Sequence, residues 1–241
     1  MSAGNGGGAS LEGVGSGWKG LYEVAGVAAL VMAVFIPVQV VVFILWPPPS
    51  TVLGWFALFQ RSPLVGLLDL DLLLIIDQVL MGLVLLALYV TLRRTSQSAT
   101  LIALVFALLG IAAYFASTAA FEMLSLSGSY AAAAGEPQRA PIEAAGQVML
   151  ANWQGTAFDA GYLLEGLALL IFAVVMSRSS LFGKVTAYLG ILLGVLSLVP
   201  PTVPAVGLIF AFGSLVPLEI WNILIARRLL QLGRGGTAGL R

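Results

Sequence analysis

Apolar residues in this chain come in long unbroken runs and not at the period of an amphipathic helix or a half-buried strand. Six stretches, at about 22–46, 66–92, 100–124, 156–177, 185–200 and 205–226, are apolar on every face. A helix needs about 20 such residues to cross a hydrocarbon core of roughly 30 Å. A helix with no polar face has nothing to offer water, so runs of this kind belong in lipid or in the middle of a large core. The pattern predicts an all-α polytopic membrane protein, a bundle of six transmembrane helices. The second run exceeds what a bilayer needs and the fifth falls short of it, which predicts tilt in one and a shielded crossing in the other.

The segments between the runs are uneven. Residues 1–20 begin Met1-Ser-Ala-Gly-Asn-Gly-Gly-Gly and read as a flexible glycine-rich tail, 21–230 as the membrane domain, and 231–241 as a short basic tail. The first run is too long for the apolar core of a signal peptide, roughly 7–15 residues, and ends in Trp46-Pro-Pro-Pro, so it reads as a genuine span. Residues 50–61 are apolar but too short to cross, which predicts a segment lying in the interface. In the longest loop, about 125–154, the stretch from Pro141 to Trp153 is amphipathic with proline in its first turn. It predicts an interfacial helix on the extracytoplasmic face, between spans three and four.

Composition narrows the class further. Of 241 residues 60% are hydrophobic and 9% charged, against roughly 25% charged in a soluble domain. Twenty-two charges cannot coat a globule of this size. The chain has no cysteine and no histidine, which removes disulfides, thiolate metal sites, the commonest metal ligand and the commonest general base. Net charge is zero with no dense basic run, so nucleic acid is not an expected partner. There is no HExxH, nucleophile elbow, Walker loop or dinucleotide fingerprint, and the reading leans away from an enzyme, a bound metal or a cofactor.

Lysine and arginine orient the bundle. With an even number of spans one side receives Lys19, Arg93, Arg94, Arg178, Lys184, Arg227, Arg228, Arg234 and Arg241, and the other only Arg61 and Arg139. Positive charge is retained on the cytoplasmic side, which puts both termini there. Small residues predict the packing seams: Gly190 and Gly194 on span five, Gly207 and Ala211 on span six, and Ala112, Ala116 and Ala120 on span three. Pro37 and Pro217 are placed to kink their helices.

The carboxylates are the informative residues. Measured from the cytoplasmic end at about 1.5 Å per residue, Glu219 lies roughly 12 Å deep, Glu165 roughly 18 Å and Asp77 roughly 24 Å. Asp69, Asp71, Glu122 and Asp159 fall near the outer interface. An ionised acid at a bilayer centre costs about 2.5–3.5 kcal/mol on insertion scales, so such groups are held for a reason. The functional reading is a proton or cation path, or a pocket for an amine-bearing ligand, built from Asp77, Glu165 and Glu219 with Asp159 and Glu122 at its outer mouth. The bland reading is neutral acids hydrogen-bonded between helices, with Gln78, Asn222, Ser197, Ser214 and Thr186 as partners. Asp71 to Asp77 and Asp159 to Glu165 are each six apart, roughly 120° around a helix, so a two-carboxylate site must join different helices.

Two segments carry a likeness. Arg178-Ser-Ser-Leu-Phe-Gly-Lys-Val-Thr-Ala-Tyr-Leu-Gly-Ile-Leu-Leu-Gly and Pro217-Leu-Glu-Ile-Trp-Asn-Ile-Leu-Ile-Ala-Arg-Arg resemble a bacterial family of six-span membrane proteins known only as a domain of unknown function. In it a basic loop enters a glycine-containing fifth span, here Lys184, Gly190 and Gly194. Its last span carries a glutamate just before a tryptophan, here Glu219 and Trp221. The resemblance covers roughly residues 20–230 and implies a bacterial inner membrane. It implies no activity. Two functions stand: a small ligand-binding or transport-like bundle, and an accessory subunit that docks a membrane partner or a second copy through a small-residue face.

Overall fold

The computed structural model describes residues 17–70 and 72–235, so the glycine-rich tail before residue 17, the last six residues and Asp71 lie outside the described residues. Among the described residues all regular structure is helical: α1 (Lys19–Leu45), α2 (Val52–Arg61), α3 (Pro63–Asp69), α4 (Leu72–Leu92), α5 (Gln97–Ser117), α6 (Ala120–Ala132), α7 (Glu136–Trp153), α8 (Thr156–Ser177), α9 (Lys184–Leu196) and α10 (Val206–Gly233). Five helical segments are long and apolar enough to cross a membrane, and they contain α1, α4, α5, α8 and α10. The molecule is thus helical throughout its described regular structure, and its apolar helices are compatible with a multi-pass membrane protein. Its fifth apolar run forms a helix of only 13 residues, about 20 Å long and short of a full crossing.

These six helices close into a ring in which each packs on the next, in the order α1, α4, α5, α8, α9, α10 and back to α1. Across the ring, α4 also touches α8. Small residues set the close approaches. A Cβ at Gly110 on α5 would lie 2.9 Å from the carbonyl oxygen of Gly161 on α8, and a Cβ at Gly161 would lie 2.9 Å from the carbonyl of Gly110. Gly190 meets Ala173 and Trp221, Gly194 meets Leu170, and Gly207 meets the backbone of Pro200 and Pro201, so the GxxxG and GxxxA motifs are packed within the chain. Ala211 is half-buried, and its carbonyl accepts from Ser214. The alanine stripe is a correction: Ala112 and Ala116 are exposed, and α5 turns Ala103, Ala107 and Gly110 inward instead. Alanines are small on every face of this helix, so spacing alone did not select the inner one.

Several boundaries also differ from the apolar runs. The second run divides at Leu70 into α3 and α4. The third stops at Ser117: Thr118 is extended, and Asn152 of α7 donates to the freed carbonyls of Ala116 and Ser117 at 3.1 and 3.4 Å. Residues 120–132 then form a separate helix held to α2, where Ser127 donates to the Phe56 carbonyl at 3.0 Å and Gln60 to the Ser127 carbonyl at 3.3 Å. The helix expected from Pro141 begins a turn earlier at Glu136, with Pro137 in its first turn and Pro141 inside it. The last span runs on to Gly233, into the expected basic tail. α1 and α10 pass unbroken through Pro37 and Pro217.

Two apolar cores result. The four short helices α2, α3, α6 and α7 form a cap around Trp55, Phe56, Phe59, Leu70 and Met123. The ring has its own core, and its position matters. Its buried members on α1 are residues 25–32, on α4 84–92, on α8 168–176 and on α10 221–229. They occupy the half of the ring that holds the basic residues, where Arg93 stacks 5.5 Å over Trp18 and Lys184 donates to the Ser177 carbonyl at 2.9 Å.

Candidate functional site: a carboxylate layer beside a half-length helix

Asp77, Glu165 and Glu219 all lie just on the cap side of that core, on α4, α8 and α10. These are alternate members of the ring, so side chains directed inward from them converge. Gln78 donates one amide nitrogen to both carboxylate oxygens of Glu165, at 3.0 and 3.2 Å. Asp77 is within electrostatic reach of Glu165 and of Glu219. Of the three deep acids expected from depth alone, Asp77 is thus near both of the others. No lysine or arginine is among the groups acting on them.

Polar neighbours extend the layer towards the cap end. Along α8, Asp159, Tyr162 and Glu165 follow one another at three-residue spacing and are half-buried. The Tyr162 hydroxyl pairs with the Ser197 side chain, and Thr202 donates to Asp159 at 2.5 Å. Thr202 was not foreseen, because nothing in a proline-rich connection marks it until that connection is folded against α8. Towards the basic end, Asn222 and Trp221 are fully buried one turn below Glu219. Four atoms of Asp77, Glu219 and Asn222 are buried without a hydrogen-bond partner, Asp77 Oδ1, Glu219 Oε1, Asn222 Oδ1 and Asn222 Nδ2; Trp221 Nε1, also unpartnered, lies against Gly190 in the apolar core.

Glu122 does not join them. It is exposed in the first turn of α6, on the cap, because the third run breaks at Thr118 and diverts the residues that follow. Asp69 is fully buried at the end of α3, with neither carboxylate oxygen paired. Burial raises its carboxyl from 3.8 to about 6. Two surface grooves lie elsewhere, one beside Arg178 and one between α1 and α4 near Glu23. Among the described residues no group of three acidic side chains has the closeness a metal ion needs.

The short α9 gives the layer its electrostatic character. A Cβ on Gly166 would lie 2.7 Å from the Ser197 Cβ, so α9 ends level with Glu165. The chain then continues without helix, through turns at residues 197–205, before α10 begins. A helix C-terminus carries roughly half a negative charge on its unpaired carbonyls. Glu165 and the carbonyl end of α9 thus lie at one level. Discontinuous helices with their ends at mid-depth are the usual way a membrane bundle exposes backbone to a ligand, since loose backbone is tolerated there only beside protein or water. No protein family, curated protein or solved structure matches the chain.

Proposed function

We propose that this protein is a six-span bundle of a bacterial plasma membrane that binds a proton or a small cation at Asp77, Glu165 and Glu219, in the manner of a transport-like protein. The short α9, completed by the 197–205 connection, is the sixth crossing. The basic end of the ring faces the cytoplasm, both termini lie there, and α7 belongs to an extracytoplasmic cap; the resemblance noted above implies the same membrane. One observation carries the functional reading: Asp77 lies within electrostatic reach of both Glu165 and Glu219, with no cationic side chain acting on any of them, beside the carbonyl end of a helix that stops at the level of Glu165. Acids serving only as packing would be expected to pair fully, and Asp77 and Glu219 each keep a buried unpaired oxygen.

The accessory-subunit reading needs a free small-residue face: Gly190, Gly194 and Gly207 are occupied by contacts inside the chain, and it rests on the exposed Ala112 and Ala116 of α5. The deciding experiment is thermal unfolding in detergent across pH and added cation, for wild type beside Asp77→Asn, Glu165→Gln and Glu219→Gln. The wild type should show a pH- or cation-dependent step that at least one amide variant removes. Four superimposable flat profiles would retire the proposal.

A further inference from the structure

We infer that the ligand of this site is the proton, carried by water, and that it reaches the carboxyls from one side only, past the α9–α10 connection. The inference rests on the cation-site reading above and narrows it.

The unpaired atoms choose between ligands. A bare cation or an ammonium group can satisfy oxygens, and would serve Asp77 Oδ1, Glu219 Oε1 and Asn222 Oδ1. It would leave the fully buried Asn222 amide N–H without an acceptor. Water offers two donors and two acceptors and serves the mixed set. Protons then move by transfer from water to a carboxylate oxygen and back to water at the same face, with no other bond made or broken. The titratable groups facing this layer are Asp159, Tyr162 and Glu165 of α8, Glu219 of α10 and Tyr114 of α5, which packs on Phe158 at 6.1 Å.

The sidedness follows from where the core lies. Below the carboxyls the ring is filled by Met32, Leu88, Leu92, Phe172, Ile225 and Leu229, all fully buried and drawn from four of its helices. A dry packed layer of this kind gives water no partners. Above the carboxyls the lining changes to Tyr162, Ser197, Asp159 and Thr202. The cap packs against α1, α4 and α8, and its helices make no extensive contact with α9 or α10, which leaves the connection as the way in.

Because the chain has no cysteine, single cysteines can be read without background. The test labels Thr202→Cys, Ser197→Cys, Ser214→Cys and Ala226→Cys with a water-soluble maleimide in liposomes, each variant first checked for a monodisperse elution profile. Thr202→Cys and Ser197→Cys should label, Ser214→Cys more slowly, and Ala226→Cys at least tenfold more slowly than Ser197→Cys. Equal labelling of Ala226→Cys and Ser197→Cys overturns the sidedness, as does failure of both Thr202→Cys and Ser197→Cys to label. In parallel, the melting temperature is followed with sodium, potassium or methylammonium at fixed pH. No shift is expected. A rise with any of them that Asp77→Asn abolishes overturns the proton assignment while leaving the cation site standing. Loss of every pH and cation effect removes the site itself.

Discussion

Gln78 and Glu165 join α4 to α8 across the middle of the ring through one amide nitrogen shared between two carboxylate oxygens, at 3.0 and 3.2 Å. Gln78→Leu removes the donor and leaves Glu165 partly buried without it. The expected cost is about 1–3 kcal/mol, measured by unfolding in detergent. Gln78→Leu combined with Glu165→Leu should recover part of that loss, because an apolar pair strands no polar group. A double variant that costs the sum of the two singles would show that the bond is not coupled to the fold.

The crossing of α5 and α8 is the tightest test of ring geometry. A methyl on Gly161 meets the Gly110 carbonyl at 2.9 Å, and backbone cannot rotate away as a side chain would. Gly161→Ala should destabilise by about 1–3 kcal/mol. Gly213→Ala on α10 is the matching control, since nothing lies within 4 Å of its added Cβ. There the change should be neutral or stabilise by up to about 1 kcal/mol through helix propensity. Melting curves of the two variants side by side check both.

Asp69 supplies a pH dependence outside the spans. Its folded-state value, about 6, lies above the ordinary 3.8, so the folded protein holds a proton that the unfolded chain has already released. Stability from this group is fully present below about pH 4 and is lost as pH rises through about 6. Asp69→Asn, which cannot ionise, should flatten that decline and leave the protein more stable than wild type at pH 7. A decline of unchanged size in the variant would assign it to another group.

The α9–α10 connection contains a strained residue. Ala205 has φ 60° and ψ −49°, and the Val206 N–H donates to the Pro204 carbonyl at 2.7 Å, which makes a tight three-residue turn of the rare hand. Glycine takes positive φ without the clash a Cβ brings. Ala205→Gly should therefore raise the melting temperature, with a gain of order 1 kcal/mol. Labelling of Thr202→Cys in the Ala205→Gly background should persist if the turn keeps its shape.

Which acids lie deep in the ring was legible from their position in the apolar runs. Asp77, Glu165 and Glu219 stand out because an acid surrounded by twenty apolar neighbours is costly wherever the helix turns. Glu122 was misplaced for the same reason that the third run was drawn too long. Hydropathy reads straight through Thr118, whereas Asn152, 34 residues further on, stabilises the break there. Pro200 and Pro201 mark the end of α9 in the sequence, but its level beside Glu165 was hidden, because only the contact of Ser197 with Gly166 sets that depth.

By itself the sequence determined that this chain is helical, apolar over five or more lengths sufficient to cross a bilayer, basic mainly towards one set of helix ends, and sparing with buried charge. Those properties follow from composition and run length, which need no partner to be read. Only the tertiary structure decided the closure of the ring, the approach of Asp77 to both Glu165 and Glu219, the half-length of α9 and the placing of the dry core on one side of them. A helix apolar all round does not announce which face turns inward; close packing at Gly110, Gly161, Gly166 and Gly190 does.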